Sequence, residues 1–459
     1  MNLWILSEEY PRLQTLNTII KMFLKDNNFS SFIDNIRVIP MLENNSFNFT
    51  YKVIGINCNK IKNIFIKIVK GSSSFVDYLI FYQNDEPKYS DNPIYAIEET
   101  KTDDKESRNT SIYQRAIKFI FIDTYYKNVK KVMLHQRKNI SSKFTDTYIF
   151  GVKILKTFNV FFTDEETNKI EPFYNIDDLI TFKNNMKKPP KGNTPIIITK
   201  VNNNLLEISG ILKKSDSLSH DPNIGALTAI SYALRKLGWK YYIIITKHQL
   251  EQRHIKKNKF VQIANFINIG LDELDIPNIE LDNLYWYYDK EGEKLATIFV
   301  HVIVESFTNG YSIFENHAGC EKGYFITSEN EYIPLEKYVD REDYKSGNKS
   351  AKLNIPDLIL IDVKKLEIIN IEGKKIANLK EGLKSLEEYY KIENIYIKKY
   401  YPKYKIIRTL VIYGGDEKDL KQEIKIGFLL SKDGNILLGI EAPDLFKLAV
   451  KNLLDFWRN

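Results

Sequence analysis

Cysteine is nearly missing from this chain of 459 residues, which has only Cys58 and Cys320. Two thiols exclude a disulfide-stapled scaffold and a four-cysteine zinc ribbon. Long apolar runs are missing as well. No stretch reaches the ~18 to 20 consecutive apolar residues that a membrane-spanning helix needs. The longest runs, such as residues 241–245, have the length of strands. The opening residues, Met1-Asn-Leu-Trp-Ile-Leu-Ser-Glu-Glu, carry neither the cationic start nor the apolar stretch of a secretory signal. A soluble, cytoplasmic protein is expected. Neither sign of charge dominates: 66 Lys and Arg stand against 59 Asp and Glu, a net +7. That balance permits a polyanionic partner without demanding one. There is no solenoid repeat, low-complexity tract, Walker loop, glycine-rich nucleotide fingerprint or serine elbow.

The chain does have apolar residues, at 43%, enough for a sizeable core. Its length suggests two or three domains at ~150 residues each. Short β-branched runs alternate with helical patterns throughout, which reads as α/β with mixed sheets. Strands are expected at 61–69, 76–81, 94–98, 195–199, 241–246, 297–304, 358–363 and 368–371, and helices at 111–126, 223–237 and 379–390. The basic Pro-Pro-Lys-Gly segment 186–194 reads as a loop. An acidic, proline-containing stretch, 270–282, reads as a boundary between a domain 1–275 and a domain 276–459.

Each of these halves contains an acid–acid–lysine constellation. In the C-terminal half, Pro356-Asp357 opens an apolar strand, and the next strand ends in Glu372-Gly373-Lys374. Period-two alternation puts Glu372 and Lys374 on one face, and a β-meander would bring Asp357 beside them. Two carboxylates and the Gly373 carbonyl make a hard oxygen site suited to Mg²⁺. The lysine can orient an attacking water and offset developing phosphate charge. In the N-terminal half, Asp77 lies near the start of one expected strand and Glu99-Thr-Lys101 ends the next. Asp77 and Glu99 are 22 residues apart, against 15 for Asp357 and Glu372. Glu98 points to the face opposite Glu99, so Glu99 is the expected ligand there.

Both constellations resemble the PD-(D/E)xK nuclease motif. The C-terminal copy matches it letter for letter (Pro356, Asp357, Glu372, Lys374), whereas the N-terminal copy has Val76 in place of the proline. The resemblance implies restriction-endonuclease-like folds and Mg²⁺-dependent DNA cleavage that leaves a 5′-phosphate and a 3′-hydroxyl. Two copies in one chain are similar to type IIS restriction enzymes with an EcoRI-like and a FokI-like site, each cutting one strand. That similarity implies catalytic roles for Asp77, Glu99, Lys101, Asp357, Glu372 and Lys374, with the four carboxylates as metal ligands. Double-stranded DNA is the implied partner. A host making such an enzyme should need a cognate methyltransferase; a chain with one working site would nick one strand or need a second subunit or dimer partner, and one with degenerate sites would be a non-enzymatic DNA-binding module.

Candidate DNA contacts follow the N-terminal motif. Arg108 and Asn109 are the residue types that read guanine and adenine edges bidentately, and Arg115 follows on the expected helix. His220, Asp221 and Asn223 precede a helix, where one of them also fits the N-cap. Lys247 follows a strand in a segment that also holds His248 and His254. The pairs Lys213-Lys214 and Lys256-Lys257 fit solvated faces as well as phosphates. Tyr285-Trp286-Tyr287-Tyr288 fits packing better than base stacking. His317 and Cys320, three apart, have no second pair that would complete a zinc site. Upstream acids that some nucleases use as a further ligand, such as Glu336, cannot be placed by sequence.

Overall fold

The computed structural model describes residues 1–458 except 73, 101–110, 136–143, 187–195, 213–221, 256–258, 279–283, 318, 320–321, 338–346 and 348–351. The fold is mixed α/β with several mixed sheets. The chain divides by contacts into two compact units. The first comprises Met1–Lys70, Gln83–Glu86 and Tyr288–Asn459, the second Gly71–Tyr82 and Pro87–Tyr287. The division therefore does not fall at a single point near residue 275, because the first 70 residues belong with the C-terminal part.

The first unit begins with β1 (Asn2–Ser7), α1 (Leu13–Asp26), β2 (Phe32–Glu43), β3 (Ser46–Asn57) and β4 (Ile64–Gly71). The last three form an antiparallel set, and β1 runs parallel to β4. The second unit follows with β5 (Tyr78–Gln83), β6 (Tyr95–Thr100), α2 (Ser111–Tyr125), β7 (Lys130–His135), α3 (Asp146–Thr157) and β8 (Val160–Phe162). Here β5 pairs antiparallel with β6, and β6–β7–β8 are parallel. A further sheet of this unit has β9 (Ile197–Asn202), β10 (Leu205–Ser209), β11 (Tyr242–Thr246) and β12 (Ile269–Leu271), with α4 (Pro222–Lys236) between β10 and β11. Arg235, near the end of α4, donates to the carbonyls of Trp239, Tyr241, Ile267 and Asn268, which clamps the turn after the helix. His248 accepts from the Leu250 amide and lies 2.7 Å from the Asp272 carbonyl. Both are satisfied structural groups.

The chain returns to the first unit through β13 (Trp286–Tyr288) and α5 (Lys294–Phe307). The expected strand 297–304 is thus a helix. Every residue from Leu295 to Val304 is buried, and a helix apolar on all sides carries no 3.6-residue stripe to distinguish it from a buried strand. After it come β14 (Tyr311–Glu315), the ribbon β15 (Lys322–Ile326) and β16 (Tyr332–Glu336), β17 (Leu358–Asp362), β18 (Glu367–Lys375), α6 (Leu379–Glu388), β19 (Lys405–Tyr413), β20 (Ile426–Leu430), β21 (Ile436–Leu438) and α7 (Asp444–Arg458). The main sheet has the order β14-β17-β18-β19-β20-β21.

Alternation decides what this sheet covers. Ile359, Ile361, Ile368, Leu410 and Ile412 lie in one buried cluster with Leu386, Tyr389 and Ile392 from the helical segment after β18. The other face meets α5, where Phe299 stacks on Phe428 with ring centroids 5.6 Å apart. Each such side chain fully buried contributes about 1.5–3 kcal/mol. The β17–β18 turn is fixed by Asp362, whose carboxylate accepts from the amides of Lys364 and Lys365. That Asx-type cap sets the register, Leu358 opposite Ile371.

Among the described residues no helix is long and apolar enough to cross a membrane.

Candidate active sites

The C-terminal constellation is assembled where β17 begins and β18 ends. One step beyond the Leu358–Ile371 pair, the register sets Asp357 opposite Glu372. The Asp357 carboxylate accepts from the Gly373 amide at 2.8 Å. Lys374 Nζ lies 2.8 Å from Glu372 Oε1, and the Tyr389 hydroxyl donates to Glu372 Oε2. Glu293, immediately before α5, adds its negative field to both Asp357 and Lys374. Burial, reinforced by Glu372, pushes the Asp357 carboxyl up to about 8. Burial pulls the Lys374 ammonium down, but Glu372 more than offsets it and the net shift is upward. The site holds two acids and one lysine within the negative field of Glu293, with a carboxyl that resists ionising until something positive arrives. That donor set fits a hard divalent cation held by oxygen.

Two of these groups lie outside the sequence reading. Glu293 is the last residue before a helix that the pattern presented as a strand, so nothing marked it as a helix-terminal acid. Tyr389 sits in a helical segment 17 residues after Glu372 and has no motif of its own. Glu336, by contrast, is an exposed residue of the β15–β16 ribbon.

The N-terminal constellation repeats the ladder and changes the side chains. Tyr78 stands opposite Ile97, so Asp77 falls opposite Glu98, as Asp357 falls opposite Glu372. The Asp77 carboxylate accepts from the Glu99 amide at 2.7 Å, the counterpart of the Gly373 bond. Glu98, 3% exposed, accepts from the Asp77 amide and takes both carboxylate oxygens to Lys118 Nζ at 2.7 and 2.9 Å. Lys118 is also 3.5 Å from Asp77, and Arg115 Nε is 3.7 Å from Glu98. Burial and then Asp77 push the Glu98 carboxyl up to about 7, against the opposing pull of Lys118 and Arg115. Glu99 is also buried, but its carboxylate accepts from the Tyr78 hydroxyl at 2.9 Å on the other face.

The structure therefore brings Asp77 together with Glu98 and Lys118, and places the side chain of Glu99 elsewhere. Position 100, two after Glu98, is a threonine, and the ammonium group comes from α2 instead. Lys118 was legible only through the helix, because it lies one helical turn after Arg115 and shares its face. Lys101, Arg108, Asn109, His220 and Asp221 lie outside the described residues, as do both lysine pairs, Cys320 and the side chain of Asn223. Arg115 is half-buried beside Glu98. Lys247 is exposed at the end of β11. Tyr285 and Trp286 are buried packing residues.

No family model, curated protein or solved structure matches this chain.

Proposed function

We propose that this protein is a Mg²⁺-dependent endonuclease of restriction type, acting on double-stranded DNA with one PD-(D/E)xK-like site in each unit. The observation that carries the reading is the repeated register. In both units an aspartate before an antiparallel strand faces a glutamate on the next strand and accepts the amide that follows that glutamate, and the glutamate holds a lysine. In both, the second strand runs parallel to a third. The sites are Asp357, Glu372 and Lys374 with Glu293, and Asp77, Glu98 and Lys118. Mg²⁺, when bound, supplies Lewis acidity toward the scissile phosphate. The protein's part is positional and electrostatic. The Gly373 amide and Tyr389 hydroxyl fix the two carboxylates, and Lys374 holds the attacking water and offsets charge on the phosphate. Sequence specificity, a type IIS cut and a cognate methyltransferase rest on the family resemblance.

A second reading is favoured by the charges of the N-terminal site. Asp77 and Glu98 face Lys118 and Arg115, two cations for two acids, which leaves little net field for Mg²⁺. The enzyme would then nick one strand, or need a second subunit.

Supercoiled plasmid with Mg²⁺, beside an EDTA control, tests both. Linear fragments from wild type and open circles from Glu372→Gln and from Glu98→Gln support two sites, with the rate on the strand that the altered site cuts down at least ~100-fold and the other strand's rate kept. Glu99→Gln should keep both rates within about tenfold. Open circles from wild type support the nickase, and no cleavage with any divalent ion ends the nuclease reading.

A further inference from the structure

A group of metal-ligating side chains that the nuclease site does not use lies behind it in the first unit. His301 on α5, Glu315 at the end of β14 and His317 two residues later each offer a ligand atom, all within 4.8 Å of one another. His301 Nδ1 is 3.0 Å from His317 Nε2 and 4.0 Å from Glu315 Oε2. Two nitrogens about 2.1 Å from one ion, roughly 90–110° apart, stand about 3.0–3.4 Å from each other.

The atoms these residues do not offer each lie beside a polar partner, although His301 Nε2 makes no hydrogen bond of good geometry among the described residues. His301 Nε2 is 3.0 Å from the Glu305 carboxylate, one helical turn on. His317 Nδ1 is 3.2 Å from the Thr297 hydroxyl. The other oxygen of Glu315 takes Arg12 Nε at 2.5 Å. Metal-bound histidines characteristically have their second nitrogen fixed by such a partner. Nδ1 of His301 and Nε2 of His317 are turned to a common point, where they share one hydrogen bond that a bound ion would replace.

Room and a further polar group are present too. A cavity of about 230 Å³ is lined by His301, Glu305, Glu315, Arg12 and Tyr10. The Tyr10 hydroxyl is buried and has no hydrogen-bond partner among the described residues, while its ring meets His301 edge-on at 4.9 Å. An unpaired buried hydroxyl costs about 1–3 kcal/mol, and a water on a bound ion would satisfy it.

We propose that His301, Glu315 and His317 bind one divalent transition ion, Zn²⁺ or a congener such as Co²⁺. Two imidazoles and one carboxylate favour such ions over Mg²⁺, which prefers an all-oxygen shell. The site is tied to the catalytic strand. Asn316, between two of the ligands, donates its amide to the Asp357 carbonyl at 2.8 Å, so a bound ion fixes the start of β17.

The test uses full-length protein, stripped with chelator and titrated with Co²⁺ and Zn²⁺ by visible absorption and calorimetry. Expected are one ion per chain, visible Co²⁺ bands, displacement by Zn²⁺ and none by excess Mg²⁺. His317→Ala and Glu315→Gln should abolish the bands. Glu305→Gln, which removes only the partner of a ligand, should weaken binding about 10- to 100-fold. Asp357→Asn should leave the bands intact, so the result stands whether or not the chain cuts DNA. Absence of binding in wild type overturns the proposal. So does an unchanged spectrum in folded His317→Ala and Glu315→Gln, since the ion would then sit elsewhere.

Discussion

The most consequential single residue is Asp357, because its carboxyl is pushed from 3.8 up to about 8 in the folded chain. A group with a raised folded value stabilises the fold while protonated. That contribution is complete below about pH 4 and is lost as pH rises through about 8. Metal-free protein should therefore lose stability between about pH 5 and 8, and chemical denaturation in EDTA across that range reads the slope. Asp357→Asn should remove one proton's share of it. Mg²⁺ must displace that proton, so its affinity should climb over the same window, with proton release visible by calorimetry in buffers of different ionisation heat. A flat stability profile in EDTA would mean that Asp357 is already ionised.

At the scale of elements, the closest approach in the C-terminal site is between β18 and α5. A Cβ at Gly373 would lie 2.4 Å from the Thr297 methyl. Gly373→Ala should therefore cost about 1–3 kcal/mol, as overpacking does. Adding Thr297→Ser, which deletes the methyl and keeps the hydroxyl, should recover most of it. Denaturant midpoints for the single and double variants decide the matter, and a double variant no better than Gly373→Ala alone would show that the strain lies in the backbone. The same contact shows what the sequence could reveal. Strands with polar flanks, such as Leu358–Asp362 and Tyr242–Thr246, and the helix from Ser111 were legible within a few residues. The helix Lys294–Phe307 was not, because burial on every side erases its period. With it went Glu293 and His301. Two groups at the first unit's candidate sites were thus hidden by one misread element, while the meeting of Asp357, Glu372 and Lys374 was readable from strand alternation.

The two sites, compared as parts of one molecule, have the same ladder but different charge. In the C-terminal one, Glu372 pairs with Lys374, and Asp357 and Glu293 add their negative field. In the N-terminal one, Asp77 and Glu98 face Lys118 and Arg115. A dication gains from every uncompensated acid and loses to every neighbouring cation, several kcal/mol per close charge at an effective dielectric near 20. The C-terminal site should therefore fill at a Mg²⁺ concentration at least ~tenfold lower. On a supercoiled plasmid, low Mg²⁺ should give open circles, cut on the strand that Glu372→Gln protects. Higher Mg²⁺ should convert them to linear molecules. Lys118→Met, which removes one cation from the weaker site, should separate binding from chemistry. It should move that site's Mg²⁺ midpoint downward while lowering its cleavage rate, because the same ammonium serves the phosphate. If both strands are cut with one Mg²⁺ midpoint, charge compensation at Glu98 does not govern the order. If circles persist at saturating Mg²⁺, Lys118 and Arg115 have closed the N-terminal site, and this chain nicks one strand.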